Sequence, residues 1–218
     1  IYEDLFTCGR ITKVGFFLDS SVHTLNGPVT IASGTFNIGK TTVVVPGTIV
    51  VSSATLQMNE LSLFKGREIF VQKNVAEGWQ GRLRLSGGGG VSEGFPTSGF
   101  YGPPTLTSTG PTAGLDIRID GQVDISSAVF GRLAQTGLRI GSAATILNTA
   151  PGAVPGSISS VTFQGPLLTG TTAINFYAGG TFVSTFTNVN FADSNIAVNV
   201  NGSLLPAGTR ITMRGATG

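Results

Sequence analysis

Short runs in which apolar or β-branched residues alternate with polar ones recur along the chain, and each run ends at Gly, Pro, Asn or Asp. The runs 42–45 and 115–119 are examples. Alternation with a period of two residues is typical of a β-strand that buries one face, and turn residues separate one strand from the next. The best candidate for a helix, 129–138, is interrupted by Gly131 and Gly137. The pattern therefore predicts an all-β fold.

The spacing of the runs indicates how the strands stack. Val-Thr-Phe at 161–163 returns as Val-Asn-Phe at 189–191, 28 positions later. The run 173–176 returns at 196–200, about 22 to 24 positions later, and a further short run follows each, at 181–184 and 209–213. We interpret this as two turns of a coil with three strands per turn. A parallel β-helix requires such a repeat, because each turn must return to stack on the one before it.

The N-terminal third has a tighter version of the same pattern. The runs 34–38, 42–45 and 47–51 follow one another with short turns between them, as successive sides of one turn of a coil would. An antiparallel β-sandwich predicts similar strands. We therefore predict a single β-solenoid domain over residues 1–218, a parallel β-helix, with an antiparallel β-sandwich as the alternative. Strand direction decides between them.

Two segments depart from the strand pattern. Residues 86–111 are rich in Gly and Pro and predict a long irregular loop that carries Phe95, Phe100 and Tyr101. These aromatic side chains either cover the end or flank of a sheet, or stack on a sugar or a neighbouring subunit. Residues 1–21 predict an N-terminal cap or docking segment, and their start without Met or a signal sequence suggests a processed chain or a piece of a longer one.

Composition narrows the class of protein. Only 11% of the residues are charged, against about 25% in ordinary globular domains. Hydrophobic residues make up 40%, which excludes a disordered chain, and the 32 glycines have no three-residue period, which excludes collagen. A net charge of +2 is too small to indicate a nucleic-acid partner or an anionic membrane surface. No run approaches the roughly 18 apolar residues of a transmembrane helix.

Several kinds of catalytic or metal centre find no support. The chain has one cysteine, Cys8, and one histidine, His23, so neither an intrachain disulfide nor a structural zinc site is expected. It has no Gly-x-Ser-x-Gly motif for a nucleophilic serine. We predict no catalytic residue, no resident metal and no cofactor from these features.

Residues 34–41 match the pattern of a phosphate-binding P-loop, ending in Gly39, Lys40 and Thr41. That loop needs a helix to leave it, so that the helix N-terminus faces the phosphate. Here three valines and Pro46 follow instead, and these residues disfavour a helix. We interpret the match as a chance product of a chain rich in Gly and Thr.

The closest group of acidic residues is Asp116, Asp120 and Asp124, with Arg118 between the first two. On a strand, alternation puts Asp116, Arg118 and Asp120 on one face. The structural interpretation, which we favour, is an arginine that bridges two carboxylates on an exposed face. The functional alternative is a carbohydrate or calcium site of the type that polysaccharide lyases use, with the aromatic residues at 95, 100 and 101 completing it. Glycosidase chemistry would need two carboxylates facing each other across a groove.

Two residue types concentrate late in the chain and favour stacking within the fold. Asparagine side chains at equivalent positions of stacked strands can form hydrogen-bonded ladders, and phenylalanines can form interior stacks. The residues are Asn175, Asn188, Asn190, Asn195, Asn199, Asn201, Phe163, Phe176, Phe182, Phe186 and Phe191.

With the 161–163 and 189–191 repeats and the Gly/Asn turns between them, the chain resembles right-handed parallel β-helix proteins. That group includes pectate-lyase-like enzymes, phage tailspikes and bacterial surface adhesins. The resemblance implies a fold and carries over no catalytic residue. From it, and from the shortage of charged residues, we expect a secreted or cell-surface structural protein: a stalk, an adhesin or a self-assembling filament subunit without catalytic activity.

The expected partner is a further copy or a larger parent assembly, because the open ends of stacked strands invite continuation. The alternative is a carbohydrate-active enzyme or carbohydrate-binding β-helix. If it is an enzyme, a polysaccharide lyase or a glycoside hydrolase is expected.

Overall fold

The computed structural model describes residues 14–16, 22–86, 102–110, 112–150, 153, 155–164, 169–177, 183–192, 195–207 and 209–218. These residues form β-strands and turns, and none of them forms a helix, so none forms a helix able to cross a membrane. The strands, in chain order, are β1 (Val14–Phe16), β2 (Val22–Thr24), β3 (Val29–Ile31), β4 (Gly34–Ile38), β5 (Thr42–Val51), β6 (Ala54–Met58), β7 (Leu63–Val71), β8 (Lys73–Asn74), β9 (Trp79–Gln80), β10 (Arg82–Leu85), β11 (Thr105–Ser108), β12 (Leu115–Ile119), β13 (Gln122–Ile125), β14 (Ala128–Phe130), β15 (Leu133–Ile140), β16 (Thr145–Leu147), β17 (Ser157–Phe163), β18 (Thr171–Phe176), β19 (Val183–Phe191), β20 (Ile196–Asn201) and β21 (Arg210–Arg214).

The strands pair in parallel, with the exception of the short antiparallel pair β8–β9. Six of them form one sheet in the order β1-β4-β6-β10-β13-β16, and thirteen form a second, larger and curled sheet. The all-β prediction is confirmed. The alternative of an antiparallel β-sandwich is wrong for the described strands.

The larger sheet is curled because two of its strands bend. Residues 42–44 of β5 pair with β2, whereas residues 49–51 pair with β3, and the register between β5 and β7 shifts between Val45 and Thr48. Gly47 lies at this bend, where a Cβ atom would be 2.9 Å from the carbonyl oxygen of Gly27. β7 is divided in the same way between β11 and β12. The larger sheet therefore has two arms, which share β5 and β7.

Three sets of stacked strands result, one in the smaller sheet and one in each arm. In the N-terminal third, equivalent residues are 20 to 22 positions apart: Phe36 pairs with Leu56 and Ile49 with Ile69 at 20, Val43 with Phe64 at 21, and Val14 with Phe36 at 22. This agrees with the prediction that 34–38, 42–45 and 47–51 are successive sides of one repeat, although the last two belong to one bent strand.

The first two runs of each late repeat are found close to where the sequence indicated them, whereas the described part of the predicted third run, 183–184, belongs to the same strand as 189–191. Val161 pairs with Val189 and Phe163 with Phe191, the predicted offset of 28. The offset between β18 and β20 is 26 at Ile174 and Val200, larger than the predicted 22 to 24, and a register irregularity lies in this pair between Thr171 and Thr172.

Apolar side chains fill the space that the three sets of strands enclose, in columns that follow the register. Phe130, Phe163 and Phe191 stack in one column, with ring centroids 5.2 and 5.5 Å apart, and Phe176 meets Phe186 edge to face at 6.3 Å. Burial of such rings and their stacking both stabilise the fold. The predicted interior phenylalanine stacks are confirmed for these residues, while Phe182 lies outside the described residues.

The two segments that departed from the strand pattern are only partly described. Within 86–111, Thr105–Ser108 forms β11, which pairs with β7 and β14, so this part is a strand where an irregular loop was predicted. Within 1–21, β1 is described, and the predicted cap or docking role otherwise falls outside the described residues.

Candidate functional site

β12, which lies between β7 and β15, presents Asp116 and Arg118 on the outer face of the larger sheet, and Asp120 follows directly after the strand. Its alternate residues, Ile117 and Ile119, are fully buried in the core. The predicted division of this strand into a polar and an apolar face is confirmed. It follows from the two-residue period of a strand with one side against the core.

Each carboxylate of β12 is bound by a different arginine. Arg118 donates to Oδ2 of Asp120 from Nε at 3.1 Å, and its Nη2 forms an ion pair with the same oxygen at 2.9 Å. Arg139, on the neighbouring strand β15, donates to Asp116 from Nε at 3.0 Å and from Nη2. The expectation that Arg118 bridges both carboxylates is wrong. Arg139 pairs with Arg118 in the register between β12 and β15, and Asp116 is bound by Arg139. The two acids and two arginines have no net charge.

Tyr177 joins this cluster from the end of β18. Its hydroxyl donates a hydrogen bond to Oδ1 of Asp120, and Nε of Arg118 donates to the same hydroxyl at 2.8 Å. Gly141 lies between them, where a Cβ atom would be 2.3 Å from Asp120 Oδ1 and 2.8 Å from the Tyr177 hydroxyl. The absence of a side chain at 141 therefore allows Tyr177 to reach two strands back.

Aromatic rings flank the Arg118 guanidinium. Its Cζ lies 4.6 Å from the ring centroid of Phe70 and 5.2 Å from that of Tyr177, within the range of cation–π attraction. Arg139 lies 5.7 Å from the Tyr177 ring. Phe70, Arg118 and Arg139 occupy consecutive places in one column of the register.

Phe70, Arg139 and Tyr177 belong to this cluster and were not predicted from the sequence. The signal that could have found Arg139 is its match to Arg118: both precede the last isoleucine of a strand, 21 positions apart. Tyr177 follows Phe176 as Asp120 follows Ile119, which places both at the end of equivalent strands.

Burial and contacts within the cluster shift the pKa values of Tyr177 and Arg118. Burial raises the pKa of Tyr177 to about 12, and the hydrogen bond to Asp120 acts in the same direction. For Arg118, burial alone would lower the pKa, but the contacts with Tyr177 and Asp120 outweigh it and raise the pKa above its usual value. At neutral pH the tyrosine is a proton donor and the arginine is a cation, so neither is a ready base.

The chemistry that this arrangement supports is cross-bracing of strands. A lyase needs a group that accepts a proton, and calcium needs several free oxygen ligands. Both carboxylates already accept from guanidinium groups, and no three His, Cys, Asp or Glu side chains among the described residues are placed to hold a metal ion. The carbohydrate or calcium role of Asp116, Arg118 and Asp120 stays a prediction. Phe95, Phe100 and Tyr101 lie outside the described residues.

Asp124, which the sequence placed near this group, lies apart from it on β13 of the smaller sheet. It is only 2% exposed, and it accepts hydrogen bonds from Arg82 and from the backbone N–H (3.0 Å) and hydroxyl (2.6 Å) of Thr149. Burial alone would raise the pKa of this carboxyl, but the hydrogen bonds from Thr149 and Arg82 outweigh it and lower the pKa below its usual value. Arg84 adds a weaker contact at 3.6 Å.

The P-loop-like residues 34–41 form β4 and a turn that leads into β5. Strand β5 stands where a phosphate-binding loop would have a helix. Lys40 is exposed and lies 3.8 Å from Glu60. The geometry therefore lacks the helix N-terminus that such a loop requires.

Comparison of the chain with known proteins found no matching protein-family model, no matching curated protein and no matching solved structure.

Proposed function

We propose that the chain is a β-solenoid that acts as an extracellular structural element, such as a stalk, an adhesin or a filament subunit, and that it has no catalytic activity. The observation that carries the proposal is the polar cluster on β12. Its charged groups are satisfied by one another across strands, which suits a brace and leaves neither carboxylate without a guanidinium partner.

The parallel register supports the solenoid. As far as β16, a strand is followed by its neighbour after the chain has passed through the other two sets, and the later strands β17 to β21 follow one another within the larger sheet. Such a path stacks equivalent residues in columns, as Phe130, Phe163 and Phe191 do. A stack of this kind is held by contacts between neighbouring repeats and can be lengthened without a new core design.

The outer contacts support a mechanical role. The ion pair between Asp116 and Arg139 joins β12 to β15, and the contact of Asp120 with Tyr177 joins β12 to the end of β18. In the smaller sheet, Arg82 on β10 binds Asp124 on β13. Polar side chains thus tie neighbouring strands together outside the core. A secreted or cell-surface location is part of the proposal and is based on composition and fold type.

Small-angle X-ray scattering, together with an assay on acidic and neutral polysaccharides, tests this proposal. We expect a scattering profile that fits stacked parallel strands over a length of roughly 35 Å, since the longest set has eight strands, and no release of unsaturated uronides, with or without calcium. A profile that fits two packed antiparallel sheets better would contradict the solenoid. Calcium-dependent release of uronides would contradict the absence of catalysis.

A second candidate function is carbohydrate binding, as in a tailspike or a non-catalytic β-helix, and one observation favours it. The rings of Phe70 and Tyr177 and the partly exposed guanidinium groups of Arg118 and Arg139 share one outer surface. Aromatic faces stack on sugar rings, and guanidinium groups bind uronate carboxylates. Binding of polygalacturonate that is lost in Arg118→Gln, with neutral glucans unbound, would establish it.

A further inference from the structure

The C-terminal side of the larger sheet ends in two edge strands. Among the described strands, β20 pairs only with β18 and β21 pairs only with β19. One side of each therefore presents backbone N–H and C=O groups that no described strand meets. Such an edge is a template on which a strand of another chain can pair.

Apolar side chains beside these edges are incompletely covered. Met213 is 37% exposed, although Phe186, its partner in the register, is fully buried. Val200 is only partly buried, although Ile174, its partner in the register, is buried. A hollow of about 280 Å³ lies at this end and is lined in part by Phe191, Val200 and Met213. Covering these side chains would gain hydrophobic free energy.

The N-terminal side of the same sheet differs in this respect. β2 and β3 are also edge strands, since each pairs only with β5 among the described strands. The inward residues there, Leu25, Val29 and Ile31, are already buried within one copy. The apolar interior is therefore closed at the N-terminal end and open at the C-terminal end.

The outer face of β21 is cationic. Ile211 packs against the core, and alternation gives Met213 the same side of the strand. Arg210 and Arg214 then lie on the other side, and both are exposed. Residues 195–218, which form this end, contain no Asp or Glu. A partner with acidic side chains would therefore complement this edge.

We propose that the open edge of β21 binds an extended, acidic strand of another protein by β-strand addition. The bound strand would pair with the backbone of β21 and place apolar side chains at alternate positions over Met213 and the hollow. On its other face it would place Asp or Glu beside Arg210 and Arg214. This binding role goes beyond the proposed structural function, and either proposal can fail without the other.

A second copy of the chain is a poorer partner for this edge. Two C-terminal ends facing each other would bring Arg210 and Arg214 of both copies into one interface, and like-charge contact costs free energy. Residues 22–33, at the other end, contain no Asp or Glu to pair with these arginines. The sheet edge, the hollow and the positive charge together favour a partner of different, acidic sequence.

The test is isothermal titration calorimetry of the 218-residue chain with two end-blocked synthetic peptides at low ionic strength. The acidic peptide is Thr-Glu-Val-Thr-Val-Glu-Thr, which as a strand has both Glu on one face and both Val on the other. The basic peptide has Lys in place of each Glu. Wild type is expected to bind the acidic peptide and not the basic one.

Charge reversal on β21 gives the decisive comparison. Arg214→Glu is expected to weaken binding of the acidic peptide by about fivefold or more, because an attraction across strands becomes a repulsion. Arg210→Glu combined with Arg214→Glu should bind the basic peptide in preference to the acidic one. Arg67→Glu is the matched control and should bind as wild type does, because Arg67 is also exposed but lies on β7, which has neighbours on both sides.

Equal binding of the two peptides by wild type would overturn the proposal. So would binding of neither peptide by a chain that is folded by circular dichroism. A wild-type dimer in analytical ultracentrifugation that Met213→Asp abolishes would also overturn it, because a second copy would then occupy the edge. If Met213→Asp fails to fold, Val198→Asp, at a residue 42% exposed on β20, replaces it.

Discussion

The hydroxyl of Tyr177 donates a hydrogen bond to the carboxylate of Asp120 across the position of Gly141. Asp120 directly follows β12, Gly141 directly follows β15 and Tyr177 directly follows β18. These three strands are neighbours in the larger sheet. Neighbouring strands lie about 4.8 Å apart, so the tyrosine spans roughly two strand spacings. The contact therefore requires a long side chain at position 177 and no side chain at position 141.

Tyr177→Phe removes the hydroxyl and leaves Asp120 and Arg118 without one partner each. We expect the free energy of unfolding to fall by about 1–3 kcal/mol, the usual cost of an unmade hydrogen bond to a charged group. Gly141→Ala should also destabilise, because its Cβ would collide with Asp120 and the Tyr177 hydroxyl. Urea denaturation of both single variants and the double variant measures the coupling. The penalty at 141 should be smaller when residue 177 is Phe, and simple additivity would show that the two positions act independently.

The pKa of Tyr177, raised by burial to about 12, predicts a pH effect at the alkaline end. A group whose pKa is raised on folding contributes stability that is fully present below its unfolded value of 10.0 and is lost as the pH rises through its folded value. Ultraviolet titration should show one tyrosine that ionises near pH 12 in the folded protein. That component should be missing from Tyr177→Phe, and its persistence there would assign it to another residue.

Asp124 predicts a pH effect at the acid end. Its pKa is lowered in the folded state, below the ordinary 3.8, so its contribution to stability is present above that value and lost as the pH falls through the folded pKa. Asp124→Asn should lower the free energy of unfolding by about 2–3 kcal/mol at pH 7, because Arg82 loses its buried partner. The difference from wild type should shrink below pH 4. Glu60→Gln is the control, since its pair with Lys40 is long and open to solvent, and a loss there as large as at 124 would contradict the assignment.

The repeats were predictable from sequence where stacking demands the same residue in successive turns. Phe163 and Phe191 pair in the register and their rings stack in one column of the core, where the same residue type fits both positions. Their 28-residue spacing is therefore visible in the sequence. β11 was missed because it is four residues long and follows a Gly/Pro-rich stretch. Its strand conformation is stabilised by pairing with β7 and β14, and the local sequence does not indicate that pairing. The 26-residue offset at Ile174 was underestimated because a register shift has no marker in the sequence.

The candidate site was predictable only within one strand. Asp116 and Arg118 lie on β12 and Asp120 directly follows it, so alternation alone placed them on one face. Arg139 lies 23 residues from its partner Asp116 along the chain, and Tyr177 lies 57 residues from its partner Asp120. Whether these side chains meet depends on loop lengths and on the register of the strands. Long-range register could not be derived from the local pattern, which is why the pairing of Asp116 was assigned to the wrong arginine.

Gly137, inside β15, tests whether close backbone approach sets the register there. Its φ is +66°, and a Cβ would lie 1.7 Å from the carbonyl oxygen of Thr172 on β18. Gly137→Ala should cost roughly 3 kcal/mol by combining backbone strain with a collision against backbone. Gly170→Ala is the matched control, with φ +80° and no atom within 4 Å of the added Cβ, and should cost about 1–2 kcal/mol. Equal losses in thermal denaturation would mean that the β15–β18 approach is not tight.

We infer that the outer cluster on β12 braces the fold and does not catalyse. The decisive experiment measures, on the same samples, the free energy of unfolding and the calcium-dependent release of unsaturated uronides from acidic polysaccharides, for wild type, Asp116→Ala and Asp120→Ala. We expect no uronide release by any of the three, and a loss of about 1–3 kcal/mol of stability in each variant as an arginine loses its partner. Uronide release by wild type that disappears in the variants while their stability is unchanged would contradict it.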